Sequence, residues 1–508
     1  MKKTAKTLIN AGLAIVLLVL IYLHIDVNIN HYCAQMDADI ASEAVLAADI
    51  AENGFKVPAT WVASTEIRVI SSPNLAAFIY PLVGNNMNFA MGIACSILMI
   101  LLIVVMCIYL KQIGFDHAEI MTALILLLSL SDIATENQSI LFLWAGYYVS
   151  NFISLFINLI IYNSFLKKNK LQPILVILSL ALSVLNGLQG MRGCLYCYIP
   201  LLGAEILRYF IFWLRKKDNK MVAILVWSAA VTVLNVAVAK LSGPDTLGAS
   251  RNIRHAGEKF VGEVVPAMNS VINYRLTSIV VMVICLLSVF GCVLGFIHIF
   301  SKEDNEDGRV AGTLTPVISF CLCAGLLTFT TVSVAPRYFI TELFIVGIGA
   351  ALFMKYSKSI VKDSIALIVL VIGIIALNYY YQGLIKADNS KGAYEYQIAE
   401  WMQQNGYENG YATFDFANSI TVFSNNKVKV RAVNSMTEME GCKWLTDSAW
   451  YPPVKANEEA TCYVTTDYTE QELQSFIQEN NATVLSTNSV GTFRIYVLDH
   501  DYTVWERK

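Results

Sequence analysis

The stretch 36–68 reads MDADIASEAVLAADIAENGFKVPATWVASTEIR and separates the first two apolar segments of the chain. It is polar, although each flanking segment is apolar enough to cross a membrane. Asp39 and Glu43 are four residues apart, so a helix would place both carboxylates on one face. The pair Asn53-Gly54 is a good helix stop. The stretch therefore predicts a short helix in the membrane interface, with carboxylates at its N-terminal end.

The composition of the chain is that of a membrane protein. Of its 508 residues, 56% are hydrophobic and only 15% are charged, whereas soluble domains carry about 25% charged residues. A membrane span needs about 20 apolar residues. The sequence therefore predicts about eleven transmembrane helices, at 9–23, 89–110, 118–131, 141–166, 171–188, 198–214, 221–241, 276–300, 310–332, 339–354 and 365–381.

Basic residues alternate between the predicted connecting loops. They cluster at the N-terminus and in every second loop after it, and the loops between hold fewer of them, except for 242–275. Because basic residues favour the cytoplasmic side, the N-terminus is predicted inside, and the first loop (24–88) and the C-terminal domain outside. The basic clusters are Lys2, Lys3 and Lys6; Lys111; Lys167, Lys168 and Lys170; Arg215, Lys216, Lys217 and Lys220; Lys302 and Arg309; and Lys355, Lys358 and Lys362.

Long apolar segments end near residue 384, and the composition changes there. We predict a transmembrane domain (1–383) that includes the external loop 24–88, and an extracytoplasmic α/β domain (384–508). Helices are predicted at 394–405 and 469–480, and strands at 410–414, 427–433, 462–466, 482–487 and 492–498. Five aromatic residues of this domain would either stack on acceptor sugars or form its core: Tyr411, Phe414, Trp444, Trp450 and Tyr451.

Further predicted external segments carry arginine. Arg192 lies in a glycine-rich turn between two predicted spans, Arg337 lies at the outer end of a span, and the long loop 242–275 contains Arg251 and Arg254. An arginine at membrane depth is costly unless it meets an anion, and its planar fork suits phosphate. The alternative is that each arginine snorkels to the interface or pairs with a carboxylate. Together with the acidic first loop, these residues predict a site for a lipid phosphate.

The order of these features resembles that of GT-C-type membrane glycosyltransferases. The acidic motif Met36-Asp37-Ala38-Asp39 follows the first span, and the motif Trp61-x-x-Ser64-Thr65-Glu66-x-Arg68 comes after it. About ten further spans and an external α/β domain complete the pattern. The motifs are also similar to those of a group of bacterial membrane proteins of this kind. The family usually has an adjacent Asp-Glu pair, whereas the acids here are Asp37 and Asp39.

The resemblance implies a function and a location in the bacterial cytoplasmic membrane. Such enzymes use polyprenyl-phosphate sugars as donors, so the acceptor would be a cell-surface glycan, lipid or protein. Asp37 or Asp39 would be the general base, with inversion at the anomeric carbon. The same acids would hold Mg²⁺ or Mn²⁺ if the enzyme uses an ion, which the sequence leaves open. Substrate-binding residues would be Glu43, Glu66, Arg68, Arg192, Arg251, Arg254, Arg337 and Tyr338.

Two other functions stay open on the sequence. A transporter or flippase of lipid-linked saccharides needs ionisable residues within its spans; Glu205 and Arg208 are the clearest, but their spacing predicts an internal pair. A glycan polymerase or ligase would use Arg251, Arg254 and His255 of the long loop. The net charge of -3 gives no indication of nucleic-acid binding, and the oligomeric state is not predicted.

Overall fold

The computed structural model describes residues 3–64, 67, 69–134, 137–144, 146–214, 222–242, 250–273, 278–300, 307–451 and 459–506. The helices are α1 (Lys3–Asn30), α2 (Ala38–Glu52), α3 (Ser72–Ile79), α4 (Met87–Gln112), α5 (His117–Ser129), α6 (Asn137–Leu141), α7 (Val149–Lys168), α8 (Pro173–Leu188), α9 (Ile199–Leu214), α10 (Val222–Ser242), α11 (Ala256–Lys259), α12 (Val265–Asn269), α13 (Ser278–Phe300), α14 (Thr315–Phe329), α15 (Thr341–Tyr356), α16 (Ser359–Tyr380), α17 (Tyr394–Gln404), α18 (Phe414–Phe423) and α19 (Asp467–Asn480). The strands are β1 (Trp61–Val62), β2 (Asn409–Thr413), β3 (Lys429–Val433), β4 (Thr446–Asp447), β5 (Thr461–Thr466), β6 (Val484–Val490) and β7 (Phe493–Leu498).

Within the described ranges, nine helical segments are long and apolar enough to cross a membrane. Two shorter apolar helices, α5 and α8, coincide with further predicted spans, so each predicted span corresponds to an apolar helix. The predicted class, a polytopic α-helical membrane protein with a C-terminal α/β domain, is confirmed, and the count of about eleven spans stays a prediction. The nine segments are Thr4–Asn30, Met87–Gln112, Val149–Lys168, Cys194–Leu214, Val222–Ser242, Ile279–Ile299, Ala311–Phe329, Pro336–Tyr356 and Ser359–Ile385.

The chain divides into two compact units. The helical unit comprises Met1–Asp26, Thr65–Ile70 and Ser96–Gly383. The sheet unit comprises Val27–Ser64, Ser71–Cys95 and Leu384–Lys508. The sheet unit thus combines most of the predicted external loop with the C-terminal residues, whereas the sequence grouped that loop with the transmembrane domain.

Close helix contacts organise the helical unit. Helix α15 packs on α5, α13 and α14, and α10 packs on α8 and α9. A Cβ atom at Gly291 would lie 1.9 Å from Gly349 O, so α13 and α15 approach at backbone distance only because both residues are glycine. Ser288 Oγ donates a hydrogen bond to Val346 O at 2.9 Å across the same contact.

The predicted internal pair of α9 is confirmed. Arg208 Nε and Nη2 each donate to one oxygen of the Glu205 carboxylate, both at 2.6 Å. Tyr162 OH also donates to Glu205 Oε2 at 2.8 Å. Both charged residues are buried, and this bidentate geometry is the arrangement in which a membrane-buried arginine is tolerated.

The sheet unit contains a five-stranded mixed sheet in the order β3-β2-β5-β7-β6. β2 is parallel to β3 and β5, and β7 is antiparallel to β5 and β6. Neighbouring residues of β2 point to different cores: Ala412 packs with α17 and α18, and Tyr411 packs with α19. Strands alternate their side chains in this way when both faces of a sheet are covered by helices.

Most of the C-terminal elements predicted from the sequence are confirmed, with two corrections. Helix α18 was not predicted, since its sequence FDFANSITVF is rich in the aromatic and β-branched residues typical of strands. It is a helix because it connects the parallel strands β2 and β3 and buries Ala417 and Ile420 against the sheet. Helix α19 begins at Asp467, where a capping box joins Thr466 and Thr469.

Candidate active site

Helix α2 presents two acidic side chains at its N-terminal end. Asp37 is the N-cap residue, and one carboxylate oxygen accepts a hydrogen bond from Ile40 N at 2.7 Å. Asp39 lies in the first turn, and both side chains are exposed. Acidic groups favour this end of a helix because they satisfy free N–H groups and complement the helix dipole. The cap is a structural role for Asp37, whereas Asp39 projects into solvent without that function.

The remainder of α2 is buried, which corrects its predicted position in the membrane interface. Ten of its 15 residues are buried, and the helix packs on α3 and α18 of the same unit. Its apolar face is therefore covered by protein, including the contact of Leu46 and Ile50 with Ala77. Glu43 is 1% exposed, so it does not share the solvent-facing position of Asp39. This burial does not support Glu43 as a substrate-binding residue.

The segment after α2 is attached to the C-terminal part of the sheet unit. Strand β1 pairs with β4, and Trp61 lies opposite Asp447. The Trp61 ring contacts the Trp450 ring edge to face, with 5.9 Å between their centroids. The guanidinium carbon of Arg431 lies 3.7 Å from the Trp450 centroid.

Asp49 and Arg431 are oppositely charged residues of the sheet unit; Asp49 is half-buried and Arg431 is buried. Arg431 is 7% exposed; its Nη1 and Asp49 Oδ2 are buried and have no hydrogen-bond partner within the described part of the chain. Burial raises the pKa of Asp49 to about 7; Arg431 and Lys429 oppose the rise, and Asp447 and Glu52 add to it. Burial lowers the pKa of the Arg431 guanidinium, which Asp49 counteracts. For Asp49, desolvation thus outweighs the attraction of the arginine.

The raised pKa of Asp49 predicts that stability falls as the pH rises. Between its ordinary pKa of 3.8 and about 7, the folded protein holds a proton that the unfolded chain releases, so unfolding becomes easier across this window. We expect a higher melting temperature at about pH 5.5 than at about pH 8, and a smaller difference in Asp49→Asn. The contribution of Asp49 is at most a few kcal/mol. Equal pH dependence in both proteins would contradict this assignment.

Tyrosines connect Arg192 to Arg337 within the helical unit, although the two arginines come from distant segments. The guanidinium carbon of Arg192 lies 4.6 Å from the Tyr148 ring centroid, and the Tyr148 and Tyr196 centroids are 5.4 Å apart. Tyr196 OH donates to Tyr338 O at 3.4 Å. The Arg337 guanidinium carbon is 5.7 Å from the Tyr338 centroid. These five residues form the arginine–tyrosine cluster, which contains three of the predicted substrate-binding residues.

The turn that carries Arg192 also binds the end of the first loop. The side-chain oxygen of Gln189 accepts hydrogen bonds from Val69 N at 3.3 Å and Ile70 N at 2.7 Å. All of these residues belong to the helical unit. The predicted substrate-binding residues Glu66 and Arg68 lie outside the described residues, and their roles stay predictions.

The long loop is tied to the segment that leads to Arg337. Asn252 N donates to Phe329 O at 2.9 Å, and Lys259 Nζ donates to Thr330 O at 2.8 Å and also to Val332 O. Lys259 is 8% exposed, and no local sequence signal distinguishes it from the other basic residues of the loop.

Arg251, Arg254 and His255 of the long loop are exposed. Arg251 and Arg254 project into solvent, and neither side chain contacts the arginine–tyrosine cluster within the ranges that the structure describes. His255 Nδ1 lies 3.1 Å from Glu258 Oε2. The structure thus brings together Arg192, Arg337 and Tyr338, but not the two arginines of the loop.

The aromatic residues of the C-terminal domain are mostly core. Tyr411 and Tyr451 are each 5% exposed. Tyr411 OH donates to Asp501 Oδ2 at 2.9 Å, and Tyr451 OH donates to Ala432 O at 2.6 Å. Trp444 is 40% exposed, and it is the aromatic residue of this set whose ring a sugar could reach most easily.

The structure does not show a cluster of metal-ligating side chains at Asp37 and Asp39 among the residues that it describes. Over the described ranges, no three His, Cys, Asp or Glu side chains lie together in the way that a bound ion requires. The Asp37 carboxylate serves as a helix cap, and Glu43 is buried. Mg²⁺ or Mn²⁺ at Asp37 and Asp39 stays a prediction, and no step of the mechanism proposed below uses it.

The structure is similar to solved membrane proteins over nearly its whole length. ArnT from Cupriavidus metallidurans bound to undecaprenyl phosphate is 12% identical with a TM-score of 0.56, and the alignment covers 96% of this chain and 97% of ArnT. The archaeal oligosaccharyltransferase AglB from Archaeoglobus fulgidus, in complex with an inhibitory peptide and a dolichol-phosphate, is 10% identical with a TM-score of 0.53; this alignment covers 92% and 68%. The resemblance to the GT-C class is thus confirmed for the fold.

Sequence comparison gives no comparable match. No protein-family model matches the chain, and no curated protein sequence matches it. At identities of 10–12%, only the fold is carried over from the solved structures, so the roles of individual side chains rest on the geometry described above.

Proposed function

We propose that this chain is a glycosyltransferase that moves a sugar from a polyprenyl-phosphate donor to an acceptor hydroxyl outside the cytoplasm. Its fold is that of ArnT, solved with undecaprenyl phosphate, and of AglB, solved with a dolichol-phosphate. Its multiple apolar helices provide the lipid-facing surface that a donor with a long isoprenoid chain needs. These observations support a lipid-linked donor; the sugar and the acceptor are not assigned.

The observation that carries the proposal is the arginine–tyrosine cluster. Arg192 and Arg337 offer two positive charges, and the rings of Tyr148 and Tyr338 hold the guanidinium groups by cation–π contact. The planar N–H fork of a guanidinium group suits the oxygens of a phosphate. We assign the donor phosphate to these arginines, because negative charge grows on the phosphate as the sugar–oxygen bond breaks.

For the proton acceptor we keep the sequence-based prediction, Asp37 or Asp39, and choose Asp39. Its carboxylate removes the proton from the acceptor hydroxyl, and the acceptor oxygen then forms a bond to the anomeric carbon. The bond between that carbon and the phosphate oxygen breaks, the polyprenyl phosphate leaves, and the configuration inverts. Asp39 is the first choice because Asp37 already accepts the cap hydrogen bond from Ile40 N. Asp37 is the alternative base.

The proposal is tested by transfer from a panel of radiolabelled polyprenyl-phosphate sugars to envelope acceptors, catalysed by the purified protein. We expect transfer from one donor class. Arg192→Gln and Arg337→Gln should each lower kcat/KM for that donor by about 10²-fold, because each removes a charge that stabilises the leaving phosphate.

Arg494→Gln is the matched control, because Arg494 belongs to the sheet unit and donates to the backbone carbonyls of Gly491 and Phe493. It should leave kcat/KM unchanged. Transfer that survives in Arg192→Gln and Arg337→Gln, but is lost in Arg254→Gln and His255→Gln, would instead select the polymerase or ligase. Movement of a lipid-linked saccharide across sealed vesicles without covalent transfer would select the flippase.

A further inference from the structure

The sheet unit exposes an apolar patch next to the start of α4. We define the apolar patch as Phe55, Val57, Phe78 and Leu82, which are 46%, 37%, 57% and 82% exposed. The rings of Phe55 and Phe78 are parallel and stacked, with 5.0 Å between centroids and 8° between planes. A contiguous exposed aromatic pair beside further exposed aliphatic residues indicates an interaction surface.

The backbone at Phe55 is strained in order to present this ring. Helix α2 ends at Glu52, and after its C-cap the chain continues through Gly54 at φ +67° and Phe55 at φ +62°. A helix stop needs the left-handed conformation at the glycine, but a bulky residue in that region is strongly disfavoured. The conformation is held by a hydrogen bond from Phe55 N to Ile50 O at 2.8 Å. A phenylalanine at a position suited to glycine or asparagine implies that the ring itself is used.

The apolar patch immediately precedes the membrane-spanning helix α4 along the chain, which indicates that lipid covers it. Leu82 is followed by a turn with Gly84 and Asn85 at positive φ, and the membrane-spanning segment α4 begins at Met87. Phe89, in the first turn of α4, is 39% exposed. The patch therefore continues into a helix surface that lipid must cover, and it lies within a few residues of the point where the chain enters the bilayer.

We propose that the apolar patch inserts into the boundary between head groups and acyl chains of the bilayer, and that it anchors the sheet unit to phospholipid. Aromatic and aliphatic side chains partition to this depth, and the exposed Lys56 beside Phe55 suits the phosphate layer above it. The anchor differs from the interface helix predicted from the sequence, because α2 itself is covered by protein. It does not depend on the proposed catalytic activity.

The test places the photoreactive residue p-benzoylphenylalanine at position 78 or 82, in full-length protein in nanodiscs of phosphatidylethanolamine and phosphatidylglycerol. Position 468 is the matched control, since Tyr468 on α19 is 91% exposed in the same unit. We expect phospholipid adducts, detected by intact mass, to be several-fold more abundant at positions 78 and 82 than at 468. Equal adduct yields, or cross-links to protein in place of lipid, would overturn the anchor.

A second measurement keeps the test independent of photochemistry. Phe78→Trp and Tyr468→Trp each add one indole to the protein, and the difference in fluorescence from wild type reports its surroundings. In liposomes with brominated acyl chains, the added emission of Phe78→Trp should be quenched and that of Tyr468→Trp should not. Lack of quenching in Phe78→Trp would place this side chain in water and refute the proposal.

Discussion

Asp39→Asn is expected to lower the rate of sugar transfer by about 10²- to 10⁴-fold, the range that a general base contributes. The amide has nearly the same size but cannot take the acceptor proton. Because Asp39 is exposed in the first turn of α2, the change removes only a favourable dipole interaction of about 0.3–1 kcal/mol. The measurement is kcat with the donor found in the panel, together with the melting temperature of each protein.

Asp37→Asn is the matched control for the base assignment. Asparagine caps a helix as well as aspartate does, so this variant preserves the hydrogen bond from Ile40 N and removes the negative charge. Asp37→Ala removes the cap as well and should cost about 1 kcal/mol of stability. If Asp39 is the base, Asp37→Asn stays far more active than Asp39→Asn; the reverse order would select Asp37. Full activity in the double Asn variant would refute both.

Local signals were sufficient for the elements whose ends are marked in the sequence. Helix α2 was predicted from its acidic N-terminus and its Asn53-Gly54 stop, and it spans Ala38–Glu52 with Asp37 as its cap. Its environment was not predictable. An apolar face at helical spacing is the same whether lipid or protein covers it, and α18, which covers it, comes from the C-terminal domain.

The candidate site was predictable only in part, for a related reason. Arginines near membrane spans are conspicuous because they are costly there, so Arg192 and Arg337 were singled out. Tyr148 and Tyr196, which connect them, lie among many other aromatic residues in apolar segments and have no distinguishing pattern. Arg251 and Arg254 look equivalent to Arg192 in the sequence, and only the folded chain separates the exposed arginines from the cluster.

The burial of Arg431 could not be predicted from the sequence either. Together with Lys427 and Lys429 it occupies every second position of one predicted strand. Residues at this spacing lie on the same face of a strand, so the pattern indicates one polar face. In the structure the Trp450 ring lies against the Arg431 guanidinium, and the charge of Asp49 acts on it from α2. A local pattern cannot reveal a partner that comes from the first loop.

Arg431→Met is expected to destabilise the sheet unit by about 1–3 kcal/mol, because it removes the guanidinium over the Trp450 ring and the positive charge that most opposes the desolvation of Asp49. Asp49 would lose the main charge that opposes its desolvation, and Trp450 would lose its cation. The loss should be larger at about pH 8 than at about pH 5.5, because Asp49 is ionised at the higher pH. Thermal unfolding of the purified protein measures it.

A double-mutant cycle separates this electrostatic cost from lost packing. Arg431→Met with Asp49→Asn removes both charges, so the pair should be less destabilised than the sum of the single changes, with a coupling of about 0.5–3 kcal/mol. Lys443→Met is the control: its pair with Glu506 is 48% and 59% exposed, and such pairs contribute about 0–1 kcal/mol. Strict additivity of Arg431→Met and Asp49→Asn would show that Arg431 acts through its contact with Trp450 and not through the charge of Asp49.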